Sequence, residues 1–268
     1  MRGLRLMRVV ALLSLGAVFS EPLNAQDTTA DKTFFTRRDA VMAASAIAAS
    51  AALSIFDERL AHWTQQPNVQ GDSSRFNAVH RLTFLNESPL TIAAAATWVV
   101  GRLWRSQTIT DVGLHTTEAL VLTVAVSELI RAPLGRARPR ASIDDAYNFK
   151  LGKGFSDFAY RSYPSLHAAA GFAAAAAVVG ELRAHDSHAQ WIVGPMLYGA
   201  ALVPGLTRMY LNQHWASDVL AGAVLGQLLG AKVVRYTHSH KRSRIDRVLM
   251  GVSVTPTSDG ATVTLVVR

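Results

Sequence analysis

Residues 215–234 read Trp-Ala-Ser-Asp-Val-Leu-Ala-Gly-Ala-Val-Leu-Gly-Gln-Leu-Leu-Gly-Ala-Lys-Val-Val, and that stretch decides the fold. Gly222, Gly226 and Gly230 recur at every fourth position. At helical spacing they form one stripe, which permits close approach of a second helix. Other stretches supply the partners. An Ala-rich run opens at Ser165 and continues to about Arg183, and another apolar run spans roughly Gln190 to Leu206. A third, Asp111 to Ile130, carries His115, Glu118 and Glu128 and is broken by Pro133 and Gly135. Ser88-Pro89 reads as the N-cap and first position of a helix reaching about Trp104. The charge-free run Ala40–Phe56 begins near Thr36 and Asp39, either of which can cap it. These make six helices.

The remaining segments differ in kind. Residues 57–87 are polar and read as a loop around a short amphipathic segment. Residues 140–163 are polar and aromatic, too irregular for a long helix, and read as a functional loop or lid. At the C-terminus, Arg247–Thr255 is Val-rich, Asp259-Gly260 marks a turn, and Ala261–Val267 alternates Thr with Val and Leu, which predicts a β-hairpin. His238-Ser239-His240-Lys241-Arg242 just before it reads as a solvated basic link rather than a metal site. The expected fold is all-α: a six-helix bundle with a short C-terminal β-hairpin.

Half of the 268 residues are apolar and only 17% are charged, low for a soluble domain. There is no Cys, which excludes disulfides, thiolate chemistry and Cys-based zinc sites. Residues 1–25 read as a secretory signal: Arg2, Arg5 and Arg8, a short apolar run Val9–Phe19, and Ala25 at the cleavage point. The formal charge is +8; residues 1–25 carry three Arg and one Glu, so the remainder carries +6. With the arginines around 131–140, that balance favours a phosphorylated ligand, and no nucleic-acid motif is visible. No helix offers twenty consecutive apolar residues. A cleaved signal and three spans would place Arg131 in the cytoplasm, whereas Arg102 and Arg105 inside would turn the site outward. Membrane embedding with an outward-facing site and a compact periplasmic bundle therefore both stay open.

Three segments carry chemistry. His214 and Asp218 lie four apart where the last helix begins, so the carboxylate can orient one imidazole nitrogen and leave the other as a nucleophile. Arg208, after Thr207, sits six residues earlier; its guanidinium can grip two phosphate oxygens, and Thr207 can add a hydroxyl. Pro164-Ser165-Leu166-His167 opens a helix, where backbone N–H groups bind anions and His167 can protonate a leaving oxygen. Arg131 and Arg138 flank the break after the third long helix. Arg136 and Arg140 beside them receive no direct role. Each feature alone has an ordinary structural reading; their joint occurrence, in order, points to phosphoryl transfer.

These motifs resemble the phosphatidic acid phosphatase type 2 and vanadium haloperoxidase superfamily, whose pattern is Lys-x6-Arg-Pro, Pro-Ser-Gly-His and Ser-Arg-x5-His-x3-Asp. The resemblance covers roughly residues 85–236. It implies that Arg131, Arg138 and Arg208 bind phosphate together with Ser165 and the backbone of Leu166. It further implies His167 as general acid, His214 as the phosphorylated nucleophile and Asp218 as its orienting partner, with no metal. Arg131 replaces Lys, Thr207 replaces Ser, and Leu166 replaces Gly; the last restricts φ and narrows the approach to the anion.

The resulting organisation is a signal at 1–25, a linker at 26–37, a helical phosphatase domain at 38–240, and a basic link with hairpin at 241–268. The expected activity is metal-independent hydrolysis of phosphate monoesters or diphosphates, lipid phosphate or polyprenyl diphosphate foremost, through a phospho-histidine. The expected partner is a phosphorylated lipid or small ester at a membrane, with the site facing the periplasm. The alternatives are a vanadium-dependent haloperoxidase, with vanadate held through His214, and a non-catalytic anion-binding helical membrane protein.

Overall fold

The computed structural model describes residues 36–239 and the strand residues 252–257 and 260–265. The expected signal at 1–25 and the basic link 240–251 lie outside the described residues. Nine α-helices are found among them: α1 Arg37–Ser54, α2 Asp57–Thr64, α3 Pro67–Gln70, α4 Ser73–Arg81, α5 Glu87–Leu103, α6 Gln107–Leu134, α7 Leu166–Ala184, α8 Gln190–Tyr210 and α9 Ala216–Ser239.

The six-helix bundle with a C-terminal β-hairpin is therefore corrected. The six long helices are accompanied by three short ones, α2 to α4, in the segment read as a loop. Polar composition hid them, but their ends are marked: Pro67 starts α3 and the Asp72 side chain caps α4 by accepting from the Arg75 N–H at 2.9 Å. The strands Val252–Thr257 and Gly260–Leu265 pair antiparallel with each other alone. A lone pair of strands adds no layer to the architecture, which is helical.

The long helices start where side chains can satisfy their first N–H groups. Thr36 and Asp39 close a reciprocal capping box on α1. Asn86, not Ser88, caps α5. Ser106 caps α6, which runs through Pro133 and stops at Gly135, whose φ of 62° suits glycine. Ser165 caps α7.

Helix α7 is the hub. Ala168, Ala169, Ala170, Ala173 and Ala177 are fully buried, and the helix is apolar all round, as a central helix must be. Helix α9 lies against it along the glycine stripe. A Cβ on Gly222, Gly226 or Gly230 would fall onto the carbonyl oxygens of Ser165, Ala169 and Ala173 respectively. Two helices, α6 and α9, are long and apolar enough to cross a membrane, with a third span if α1 and α2, bent by 60°, count as one. Helices α5, α6 and α8 also expose large apolar side chains, among them Ile92, Val121, Leu129, Trp191 and Met196. Exposed apolar faces of this kind support association with a membrane.

Candidate active site

One end of the bundle gathers every residue expected to bind phosphate or take part in its transfer. Arg131 closes α6, Arg138 lies on the following loop, Ser165, Leu166 and His167 open α7, Arg208 ends α8, and His214 and Asp218 stand at the start of α9. The connection is a backbone bond: the Ser165 N–H donates to the Asp218 carbonyl at 2.9 Å, pinning the first turn of α7 to that of α9.

The His167 and His214 rings face each other across 6.0 Å between centroids, tilted by 57°. His214 is buried and precedes α9, so it does not share a helix face with Asp218; the chain turns before the helix begins. Its Nδ1 is 3.7 Å from Asp218 Oδ2, an ion-pair distance beyond a hydrogen bond. Its Nε2 is buried without a hydrogen-bond partner. Burial, followed by the positive charges of Arg138 and Arg131, pushes the His214 imidazole down to about 4, against the opposing pull of Asp218.

Three guanidiniums surround the pair. Arg208 Nη2 donates to His167 Nε2 at 2.7 Å. Arg138 Nη1 donates to Gln213 Oε1 at 2.7 Å, and Arg131 Nη2 to the Arg161 carbonyl at 2.8 Å. The Phe158 ring lies under Arg138 at 4.3 Å and beside Arg131 at 5.9 Å. Burial and the charges of Arg131, Arg140 and Arg208 draw Arg138 down to about 9. The guanidinium keeps its proton; the depression marks positive charge short of a counter-ion, which an anion would supply. Thr207 offers less than its position suggested, because its hydroxyl donates to the Pro204 carbonyl at 2.8 Å. Leu166 occupies a helical position with negative φ, so the replacement of glycine there strains no backbone.

The sequence reading missed a second layer. Arg136, given no direct role, is buried and clamps two carboxylates: Nη1 donates to Asp218 Oδ1 at 2.6 Å and Nη2 to Asp57 Oδ2 at 2.8 Å. Those acids raise its pKa against the cost of its own burial. Ser162 Oγ donates to Asp218 Oδ2 at 2.6 Å, and the Trp215 N–H to the same oxygen at 2.9 Å. Asp57 in turn accepts from the N–H and hydroxyl of Ser217. Nothing in the spacing of Asp57, some 160 residues from Ser217, signals this pairing; the unassigned arginine in a buried Arg-rich turn was the available clue. Arg140 is exposed. Glu87, at the start of α5, was also missed. Its Oε2 is buried without a hydrogen-bond partner, 4.0 Å from His167 Nε2. A cavity of about 310 Å³ opens beside Arg208 and Gln213, lined by Phe76, His80, Tyr210 and Leu211.

Two imidazoles lie under an arginine cluster on a helical scaffold, an arrangement suited to holding an anion such as a phosphate. The model of the PAP2 superfamily matches residues 113–242. It is similar to a lipid A 1-phosphatase from Porphyromonas gingivalis, 42% identical over 74 residues, which is 27% of this chain and 15% of that protein. The chain thus spans a small fraction of that relative's length. Its fold is similar to the crystal structure of a transmembrane PAP2 type phosphatidylglycerolphosphate phosphatase from Bacillus subtilis, with a TM-score of 0.51 at 20% identity, over 78% of this chain and 99% of the other.

Proposed function

We propose that the protein is a phosphatase of phosphorylated lipids that works through a phospho-histidine. The observation that carries this reading is the facing pair His167 and His214, ringed by Arg131, Arg138 and Arg208. His214 Nε2 attacks phosphorus and the P–O bond to the leaving group breaks. His167 gives its proton to the departing oxygen. Water then attacks the phospho-histidine, His167 takes the water's proton, the P–N bond breaks and phosphate leaves. The arginines stabilise charge on the equatorial oxygens, the largest contribution such a site makes. Ser165 and the first-turn N–H groups of α7 add donors at a helix N-terminus.

Asp218 orients His214 through Nδ1, and the Arg136 clamp holds Asp218 in place. In the free site Arg208 donates to His167 Nε2, so that nitrogen carries no proton. Phosphate oxygens offer Arg208 a better acceptor, which frees His167 Nε2 to be protonated. A lipid phosphate is the favoured substrate: the site sits at one end of helices with membrane-type apolar faces, and the relatives' names are those of lipid phosphatases. An N-terminal export signal and a periplasmic site belong to the same proposal.

The test is hydrolysis of a lipid phosphate by wild type and His214→Ala in matched detergent micelles, with acid-quenched samples examined for an acid-labile phosphoenzyme. Wild type should turn over and trap phosphate on His214. Equal rates for the two proteins would eliminate the nucleophile.

A further inference from the structure

At the opposite end of the same helices lies a second cluster of titratable groups. Asp111 and His115 sit one turn apart on α6, Glu181 lies in the last turn of α7 with His185 as its C-cap, and His238 is in the last turn of α9. At 1.5 Å per residue, Glu181 is about 21 Å along α7 from His167, and His238 about 30 Å along α9 from Asp218. None of these five residues touches the phosphate-binding groups.

The cluster is centred on Glu181, which is fully buried. Its Oε1 is 2.6 Å from His115 Nδ1, and its Oε2 is 2.9 Å from His238 Nε2 and 3.8 Å from His185 Nε2. His185 Nε2 lies 3.0 Å from Asp111 Oδ2, and Asp111 is held by the Gln107 side-chain amide at 2.8 Å. The His238 ring lies 5.8 Å from that of His115 and 6.1 Å from that of His185. In each of two triads, His115–Glu181–His238 and Asp111–Glu181–His185, one ligand atom per residue lies within 4.8 Å of the others.

We infer that this end of the bundle is a binding site for a divalent transition-metal ion of the zinc class, with His115, Glu181 and His238 as ligands and His185 and Asp111 completing or flanking the set. Three imidazoles and two carboxylates compose the donors, and imidazole selects zinc-like ions over magnesium or calcium. A tetrahedral ion with bonds of about 2.0–2.1 Å spaces its ligand atoms about 3.3 Å apart; His115 and His238, now hydrogen-bonded to different Glu181 oxygens at 2.6 and 2.9 Å, would each draw back by less than about 1 Å to admit it. Charge points the same way. A buried carboxylate needs a positive partner. One bound cation supplies it at Glu181, with the imidazoles as neutral donors. His238 is half-buried, with about a third of its side chain open to solvent, which gives an ion a route in. Of the 238–242 stretch read as a solvated basic link, His238 lies on α9 with its Nε2 2.9 Å from Glu181 Oε2, and residues 240–242 lie outside the described residues. The bound ion would tie the ends of α6, α7 and α9 together, remote from the phosphate site.

The experiment uses the untagged full chain in detergent, stripped with a chelator and titrated with Zn²⁺ by calorimetry, with Tm recorded before and after. One ion per chain should bind and raise Tm. His238→Ala, at the exposed end of α9 where the fold is least at risk, should weaken binding at least as much as the roughly ten- to hundredfold that losing an outer-shell partner costs. His62→Ala, an exposed histidine elsewhere, should leave it unchanged. Absence of zinc binding in the stripped wild type, or equal binding by wild type and His238→Ala, overturns the inference and makes the cluster a proton-sharing ion-pair network.

Discussion

In the proposed mechanism His214 works only while its Nε2 lone pair is free, and its surroundings keep it free. Burial and two arginines hold the imidazole down to about 4, so it is neutral at every pH above that and protonates only below it. Because kcat/KM reports the free enzyme, its acid limb, once corrected for the substrate's own ionisation near pH 6, should fall around pH 4. A limb near 6.5, the ordinary imidazole value, would show His214 to be solvated and the packing argument wrong. The two histidines should also separate by leaving group. His214→Ala should lose about 10⁴-fold or more in kcat whatever the ester, as removal of a nucleophile does. His167→Ala should lose about 10²- to 10⁴-fold on an alkyl phosphate but far less on an aryl ester whose phenolate departs unaided. Equal losses on both esters would deny His167 the role of acid. Glu87, buried 4.0 Å from His167, is the nearest carboxylate available to favour the protonated form of that acid.

At the scale of elements, Asp218 is fixed by helices distant in sequence. Arg136 joins α2, through Asp57, to the first turn of α9, through Ser217 and Asp218. Truncating one partner leaves the others buried and uncompensated, so Arg136→Ala should destabilise by about 3–5 kcal/mol, read as a lowered Tm. An unchanged Tm would mean that the clamp is solvated. The α7–α9 seam makes a second prediction. Gly226→Ala drives a methyl into the Ala169 carbonyl and should cost about 1–3 kcal/mol, whereas Gly199→Ala on α8 meets nothing and should be neutral or slightly stabilising. A Tm equally insensitive to both would refute the close packing. What the sequence made legible follows the same division. The glycine stripe, the Ser165 cap and the Arg-His-Asp spacings are local patterns, and local patterns can be read along a chain. Three short helices in polar sequence were not read, since they rest on tertiary contacts more than on periodicity. Asp57 and Arg136 were not read because a buried ion pair between distant positions leaves no spacing to find.

The whole molecule places a polar, arginine-rich pocket at one end of helices whose outer faces are apolar. An aqueous ester could reach such a pocket, but the apolar belt would then have nothing to cover it. A lipid phosphate uses both features: its headgroup enters among the arginines while its chains stay with the lipid against α5, α6 and α8. This makes affinity depend on chain length. Each methylene buried is worth about 0.8 kcal/mol, or about fourfold in kcat/KM, until the chain outruns the contact surface. A series of monomeric phosphatidic acids with acyl chains lengthened two carbons at a time, kept below their micelle concentrations, should therefore climb steeply in kcat/KM, with kcat nearly level because the added contacts are equal in ground and transition states. The protein should sediment with membranes, resist extraction by high salt and be released by detergent. A flat chain-length series with a soluble sugar phosphate turned over equally well would remove the lipid from the proposal while leaving the phosphohistidine chemistry intact, since that chemistry rests on His167, His214 and the arginines alone.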